Sequence, residues 1–179
     1  ASATDALCLT LSDNSVAVAD LNTLDGKTSV AINASGVTEV TATNVQIGAL
    51  STAYASSGIS GLGNEAITIT GSSISAADAN TAVGLTNGVV AATVTTTGVS
   101  VTSLNSTLSN ASATDQLTIV VDAVDATLTQ AKLQALLALD GKTAVAINAG
   151  AVTSIAGTAA EVTSLYEAGA LGTISGLGN

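Results

Sequence analysis

No arginine, histidine, phenylalanine, tryptophan, methionine or proline occurs in this 179-residue chain, and each absence excludes something. Without histidine, the side chain best suited to general-base work near neutral pH is missing. Without arginine, there is no planar fork to clamp a carboxylate or a phosphate. With aromatics at 1%, the core must be built from Ala, Val, Leu and Ile. Such side chains fill narrow spaces, so the layers that bury them must lie close together, whereas ordinary domains draw on large aromatics for buried area. A single cysteine, Cys8, excludes an internal disulfide framework. It reads as a small apolar strand residue, with an intermolecular bridge as the other reading. Three lysines against thirteen acidic residues give a net charge of −10. That balance disfavours nucleic acid and anionic membrane surfaces as partners. No apolar run approaches the ~20 residues of a transmembrane helix, so no membrane insertion is expected. Residues 1–10 also lack the basic start of a secretion signal.

What is present is repetition. Asp25–Asn33 reads DGKTSVAIN and Asp140–Asn148 reads DGKTAVAIN. Each opens a longer parallel: Val30–Asn64 and Val145–Asn179 both begin VAINA, end ISGLGN and are offset by 115 residues. ASATD occurs at Ala1–Asp5 and again at Ala111–Asp115. Self-similarity of this kind points to a repeat architecture.

Helix starts punctuate the chain. The capping box, Ser/Thr-x-x-Glu/Gln, satisfies two orphan backbone donors reciprocally. It occurs at Thr43–Gln46, Thr127–Gln130 and Thr158–Glu161, with shorter-armed forms at Ser75–Asp78 and Ser100–Ser103. Ala17, which cannot cap, stands at the matching place before Asp20. Short alternating or apolar segments precede these marks: Leu7–Leu11, Val30–Ile32, Ala66–Thr70, Val90–Thr95, Leu117–Val121 and Val145–Ile147. Helix-like runs follow, with Leu21 and Leu24, Ile47 and Leu50, Leu104 and Leu108, or Leu133 and Leu136 three or four apart. Gly and Asn then end the helix.

The pattern predicts an α/β fold: a curved repeat solenoid of about six strand–turn–helix coils, with a parallel strand ladder on one side and short helices on the other. Coil boundaries fall near 1–29, 30–64, 65–88, 89–114, 115–143 and 144–179 in a single array. Strands pack ~4.8 Å apart and helices ~8–10 Å, which sets the direction of curvature. Residue 179 stops where its counterpart Asn64 runs into a strand segment, so the chain reads as cut from, or built to join, a longer array.

Catalysis is poorly provisioned, and no enzyme is expected; a hydrolase using a Ser/Asp pair is the distant alternative. Lys27 and Lys142 follow Asp-Gly at helix ends, where a cation suits the helix dipole. No cofactor is expected. Calcium is the metal the acidic side chains would suit, with Asp13 and Asn14, or Asp122 and Asp125, as candidate clusters. Turn chemistry explains the same residues without an ion. Thr10, Thr68, Thr70, Thr93 and Thr95 fall at outward strand positions, a pattern similar to the Thr-x-Thr faces of ice-binding solenoids. The ladder is broken by Asn33 and Asn148, and threonine is a good strand residue in its own right.

The phrases VAVADLNTLDGKTSVAIN, ITGSSISAADANTAV and YASSGISGLGNEAITIT resemble the tandem repeats of very large secreted cyanobacterial surface proteins, described as adhesin-like or calcium-binding. The resemblance implies an extracellular or cell-surface structural and adhesive role. The alternative is an ice- or glycan-binding face on the Thr-rich strands. The expected partner is the chain itself, as a head-to-tail homopolymer, or flanking repeats. Open ladder edges are expected at Leu7, Leu9 and Leu11 at one end and at Val145 and Ile147 at the other. End-to-end contacts of that kind propagate as a filament.

Overall fold

The computed structural model describes residues 5–178. Short strands alternate with helices throughout. The first are β1 (Ser15–Ala17) and α1 (Val18–Asp25), then β2 (Ile32–Asn33), β3 (Glu39–Thr43) and α2 (Ile47–Ala55). Next come β4 (Ile59–Ser60), β5 (Ala66–Thr70), α3 (Ala76–Val83), β6 (Val90–Thr93) and α4 (Val101–Thr107). β7 (Gln116–Thr118), a 3-10 turn at Ala123–Asp125, β8 (Thr127–Leu128) and α5 (Gln130–Asp140) follow. The last are β9 (Ile147–Asn148), β10 (Ser154–Ile155), α6 (Ala159–Leu171) and β11 (Ile174–Ser175). This is a mixed α/β protein whose strands pair in parallel, with no closed barrel among the described residues. The chain forms two compact units: residues up to Ser72 with Thr81–Ala91, and Ser73–Asn80 with Ala92 onward.

In the first unit β3 lies between β1 and β5, in register Ser15↔Glu39 and Glu39↔Ala66. The start of β6 pairs with β5 as Ile67↔Val90. A second ladder runs beside it: Thr10 bridges Asn33, and β2 pairs with β4 as Ile32↔Ile59. Strand side chains alternate between faces. Val40, Ala42 and Ile67 are accordingly buried, while Thr43 and Thr70 are exposed. Val18, Leu21, Ile47 and Leu50 of the helices complete the core.

The second unit repeats the scheme. β8 pairs with β10 as Thr127↔Ser154, β9 pairs with β11 as Ile147↔Ile174, and Val120 bridges Asn148. Leu104, Leu117, Leu133, Leu136, Leu139, Ile147 and Leu165 are all fully buried. Leu and Ile are the largest fully buried side chains among the described residues. Each contributes about 1.5–3 kcal/mol relative to exposure, so many of them replace a few aromatics.

Four expected helix starts coincide with observed ones: α1 after Ala17, α3 after Ser75, α4 after Ser100 and α6 after Thr158. Two do not. Thr127 lies in β8, and Thr129 is the residue that precedes α5. Thr43 lies in β3, and α2 begins only at Ile47. The expected edge at Val145–Ile147 is also corrected. β9 is flanked on both sides: Asn148 N–H donates to Ile119 O at 3.1 Å, and Ile147 N–H donates to Thr173 O at 2.9 Å. The cause is the ISGLGN segment, which forms β11 and covers that edge. Leu7–Leu11 is paired on one side only among the described residues, through Asn33 N–H to Leu9 O and Leu11 N–H to Asn33 O.

Candidate functional site

The repeated DGKT motif is a clasp. In the second unit Thr143 is buried, and its hydroxyl donates to Leu117 O at 2.8 Å and accepts from Leu117 N–H at 3.0 Å. Thr28 does the same work in the first unit, donating to Asp5 O at 3.0 Å and Leu7 O at 2.7 Å. Thr86, in a TNG turn, donates to Glu65 O at 2.7 Å. One hydroxyl thus ties each loop to the strand of the preceding turn of chain. The aspartates of the motif tie it to the following one. Asp25 accepts from the Ser56 hydroxyl and Asp140 from the Thr173 hydroxyl, both at 2.8 Å.

Several other carboxylates are also held by hydrogen bonds. Glu65, buried, accepts from the Gly63 and Asn64 N–H groups and from the Tyr54 hydroxyl. Burial, and secondarily Glu65, push the Tyr54 phenol far above its ordinary value, so it holds its proton and serves as a donor. Asp115 accepts from Ser112 N–H at 2.9 Å. Asp125 is 0% exposed, accepts from Val101 N–H at the start of α4 at 2.6 Å and pairs with Lys132 Nζ at 2.9 Å. Its Oδ1 makes no conventional hydrogen bond beyond that ion pair, which is the contact that balances the buried charge. Asp122 caps the 3-10 turn through Val124 N–H. The aspartates considered for calcium are therefore apart in role. Among the described residues, no group of three or more His, Cys, Asp or Glu side chains is placed to hold a metal ion.

Two of the lysines have structural partners. Lys142 donates to Asn105 O at 2.6 Å and Leu108 O at 2.9 Å, at the C-terminal end of α4. It therefore caps a neighbouring helix rather than its own, a relation no local pattern could reveal. Lys132 donates to Val124 O besides pairing with Asp125.

The threonine positions divide. Thr68 is half-buried and donates to Glu39 at 2.7 Å; Thr70 donates to Ala42 O at 3.3 Å. Thr95 donates to Ser73 at 2.7 Å, while Thr10 and Thr93 are exposed. Glu39 also accepts from Ser15 at 2.8 Å. The Thr68 hydroxyl and then that of Ser15 hold the Glu39 carboxyl below its ordinary range. Two residues missed from sequence join this face. Thr41 stands beside Thr68 and Thr43 beside Thr70 in the β3–β5 register. The alternation through EVTAT was the available signal, obscured by the Thr43–Gln46 capping box, which places a helix start at the end of the segment.

The cavities are shallow. One of about 300 Å³ lies by Tyr54, Ile59, Leu62 and Leu85 in the first unit. Two of about 370 and 400 Å³ lie around Tyr166 and Leu177 in the second. Neither titratable side chains nor a nucleophile–base pair converge in them. Among the described residues, no helix is long and apolar enough to cross a membrane. No family model, no curated protein and no solved structure matches this chain.

Proposed function

We propose that this protein is a non-catalytic structural repeat module, built as a strand–turn–helix solenoid and belonging to an extracellular or cell-surface assembly. One observation carries the reading. Polar side chains that could do chemistry, Asp25, Glu65, Asp125, Asp140 and Thr143 among them, are spent on holding separate segments together. The sequence resemblance to surface-protein repeats supports the location, and the acidic surface keeps an apolar chain soluble without recruiting nucleic acid. Calcium is not needed for this role. The test is immunogold labelling of the native source with antibody to the chain. Label on the envelope or on extracellular fibres is expected, and label confined to the cell interior overturns the reading.

A second reading is favoured by the β3–β5 register, which puts Thr41 beside Thr68 and Thr43 beside Thr70: a small ice- or glycan-binding face. Thermal hysteresis or glycan retention lost in Thr43→Leu/Thr70→Leu would raise it above the first. Its weakness is that Thr68 and Thr70 already donate within the protein.

A further inference from the structure

The two internal copies differ in what covers one strand edge. In the first copy, Val30–Asn64, β3 is paired on both edges, with β1 and with β5. In the second copy, the equivalent strand is β10, since Glu39 and Ser154 are 115 residues apart. β10 is paired only with β8; among the described residues no strand lies on its other edge. That edge is bordered by the groove of about 370 Å³ lined by Val152, Ser154, Ile155, Val162, Tyr166 and Leu177. The first-copy counterparts of Ile155 and Val162 are Val40 and Ile47, only 0% and 7% exposed, whereas Ile155 and Val162 are half-buried. Tyr166 is 57% exposed.

The strand that fills the slot in the first copy has a recognisable form. Ala66–Thr70 reads AITIT: a small residue, then apolar and hydroxyl side chains in alternation. Cys8–Ser12 reads CLTLS. The two are equivalent by structure as well. Thr86 clasps the carbonyl of Glu65 and Thr28 that of Leu7, both at 2.7 Å. Beyond each clasp, Ala91 pairs with Thr68 and Asn33 with Thr10. β5 carries β6 on its far edge, as residues 9–11 carry β2. The corresponding stretch of the second unit, Thr118–Asp122, reads TIVVD and loses the alternation at Val120. Leu9 is half-buried, while its counterpart Ile67 is 0% exposed in the slot it occupies.

We infer that the open edge of β10 binds the Cys8–Ser12 segment of a second copy of this chain, by parallel strand addition in the register β5 has on β3. This deepens the structural-module reading and rests on it. The groove receives Leu9 and Leu11 as its first-copy equivalent receives Ile67 and Ile69. Main-chain bonds supply the pairing, and the alternate apolar side chains set the register. The contact joins different surfaces of the two copies and repeats without closing, so chains of more than two copies follow.

The register makes the test specific. Glu39↔Ala66 in the first copy translates to Ser154 opposite Cys8 of the second copy. Paired strands lie ~4.8 Å apart, within the range a disulfide spans. Cys8 is exposed and free. The full chain carrying Ser154→Cys is oxidised with copper phenanthroline, and products are resolved without reductant and mapped by mass spectrometry. The expected result is a ladder of dimers, trimers and higher multimers linked 8-to-154, forming faster than in Ala160→Cys, an exposed helix control. In Cys8→Ser the ladder collapses to at most a dimer. Multimers without the 8-to-154 link, equal rates at 154 and 160, or a wild-type chain that sedimentation equilibrium shows to be monomeric at high concentration each overturn this docking. None of these results touches the structural-module reading, which fails separately, on the location of the native protein.

Discussion

Val30–Asn64 and Val145–Asn179 are the same segment twice, and in much of their length they bond alike. Asn33 Oδ1 accepts from Ser35 N–H at 3.0 Å and Asn148 Oδ1 from Gly150 N–H at 2.9 Å. Ala34 N–H donates to Ser60 O and Ala149 N–H to Ser175 O. Where they part company, the local sequence is not always the reason. Thr43-x-x-Gln46 and Thr158-x-x-Glu161 occupy equivalent positions. In the second copy the motif is a complete capping box and α6 starts at once. In the first only half of it forms, with Gln46 reaching back to Thr43 N–H, and α2 starts later. Thr43 is held extended because β3 is paired through Thr43↔Thr70. β10, paired on one edge and two residues long, leaves Thr158 free to cap. Strand pairing competes with capping for the same residue, and the neighbour decides.

The largest expected break in the comparison is at Asp125. Asn14 O and Ala126 O play the same part, accepting from Thr38 and Thr153 N–H, so Asp13 and Asp125 are counterparts. Asp13 is exposed, whereas Asp125 is 0% exposed and holds Val101 N–H and Lys132. Asp125→Ala should cost about 3 kcal/mol, the low end for breaking a buried pair, because Lys132 can turn to water. Asp13→Ala should stay within about 0.5 kcal/mol. Urea unfolding of the two variants measures the contrast, and equal losses would contradict it.

Next is a place where the copies should fail together. Gly61 and Gly176 adopt φ of 90° and 80°, and a Cβ would come within 2.7 Å of Ser35 N and 2.8 Å of Gly150 N. Both the backbone conformation and the space require glycine. Gly61→Ala and Gly176→Ala should each lose about 1–3 kcal/mol, by the same measurement. A large difference between them would show that the two turns are not equivalent.

A smaller contrast tests the capping boxes. Thr158→Ala removes the hydroxyl that accepts from Glu161 N–H and should cost about 1 kcal/mol. Thr43→Ala removes no cap from α2 and should change stability by less than about 0.5 kcal/mol. Amide exchange in the first turns of α2 and α6 resolves the two effects.

The smallest is a pH effect at the start of one helix, α6, and not at its counterpart α2. Glu161 accepts from Thr158 N–H, Gln134, Gln130 and the Thr158 hydroxyl, and these bonds, the first foremost, lower its carboxyl from 4.5 to about 2. A depressed carboxyl contributes stability that is complete above its unfolded value and is lost as pH falls through the folded one. The start of α6 should therefore weaken as pH falls from 4.5 to about 2, followed by the Glu161 side-chain and amide NMR shifts. The start of α2, with neutral Gln46 in that place, should show no such titration.

Much of this architecture was legible in the letters. β5 spans the expected Ala66–Thr70, and Ile67, Ala92 and Val94 point inward as the alternation implies. Ala17 does precede a helix it cannot cap with a side chain. Less visible were β1, β8 and β10, which are two or three residues long, too short for a period to declare itself. The ISGLGN segments supply β4 and β11, each two residues long. A two-residue strand is defined by its partners, and those lie elsewhere in the chain.

The division follows the range of the forces. Side-chain period, cap chemistry and glycine turns act within a few residues, so the sequence by itself determined the alternation of strand and helix and the apolar face of each. Partners across the ladder are 24 residues away at Ser15↔Glu39 and 27 at Glu39↔Ala66. Whether an aspartate such as Asp125 is buried and paired, whether Thr-x-x-Gln caps a helix or lies in a strand, and which edge stays open depend on the neighbour that arrives from that distance. Those the tertiary structure alone decided, because burial and main-chain pairing are properties of two segments in contact and of neither one separately.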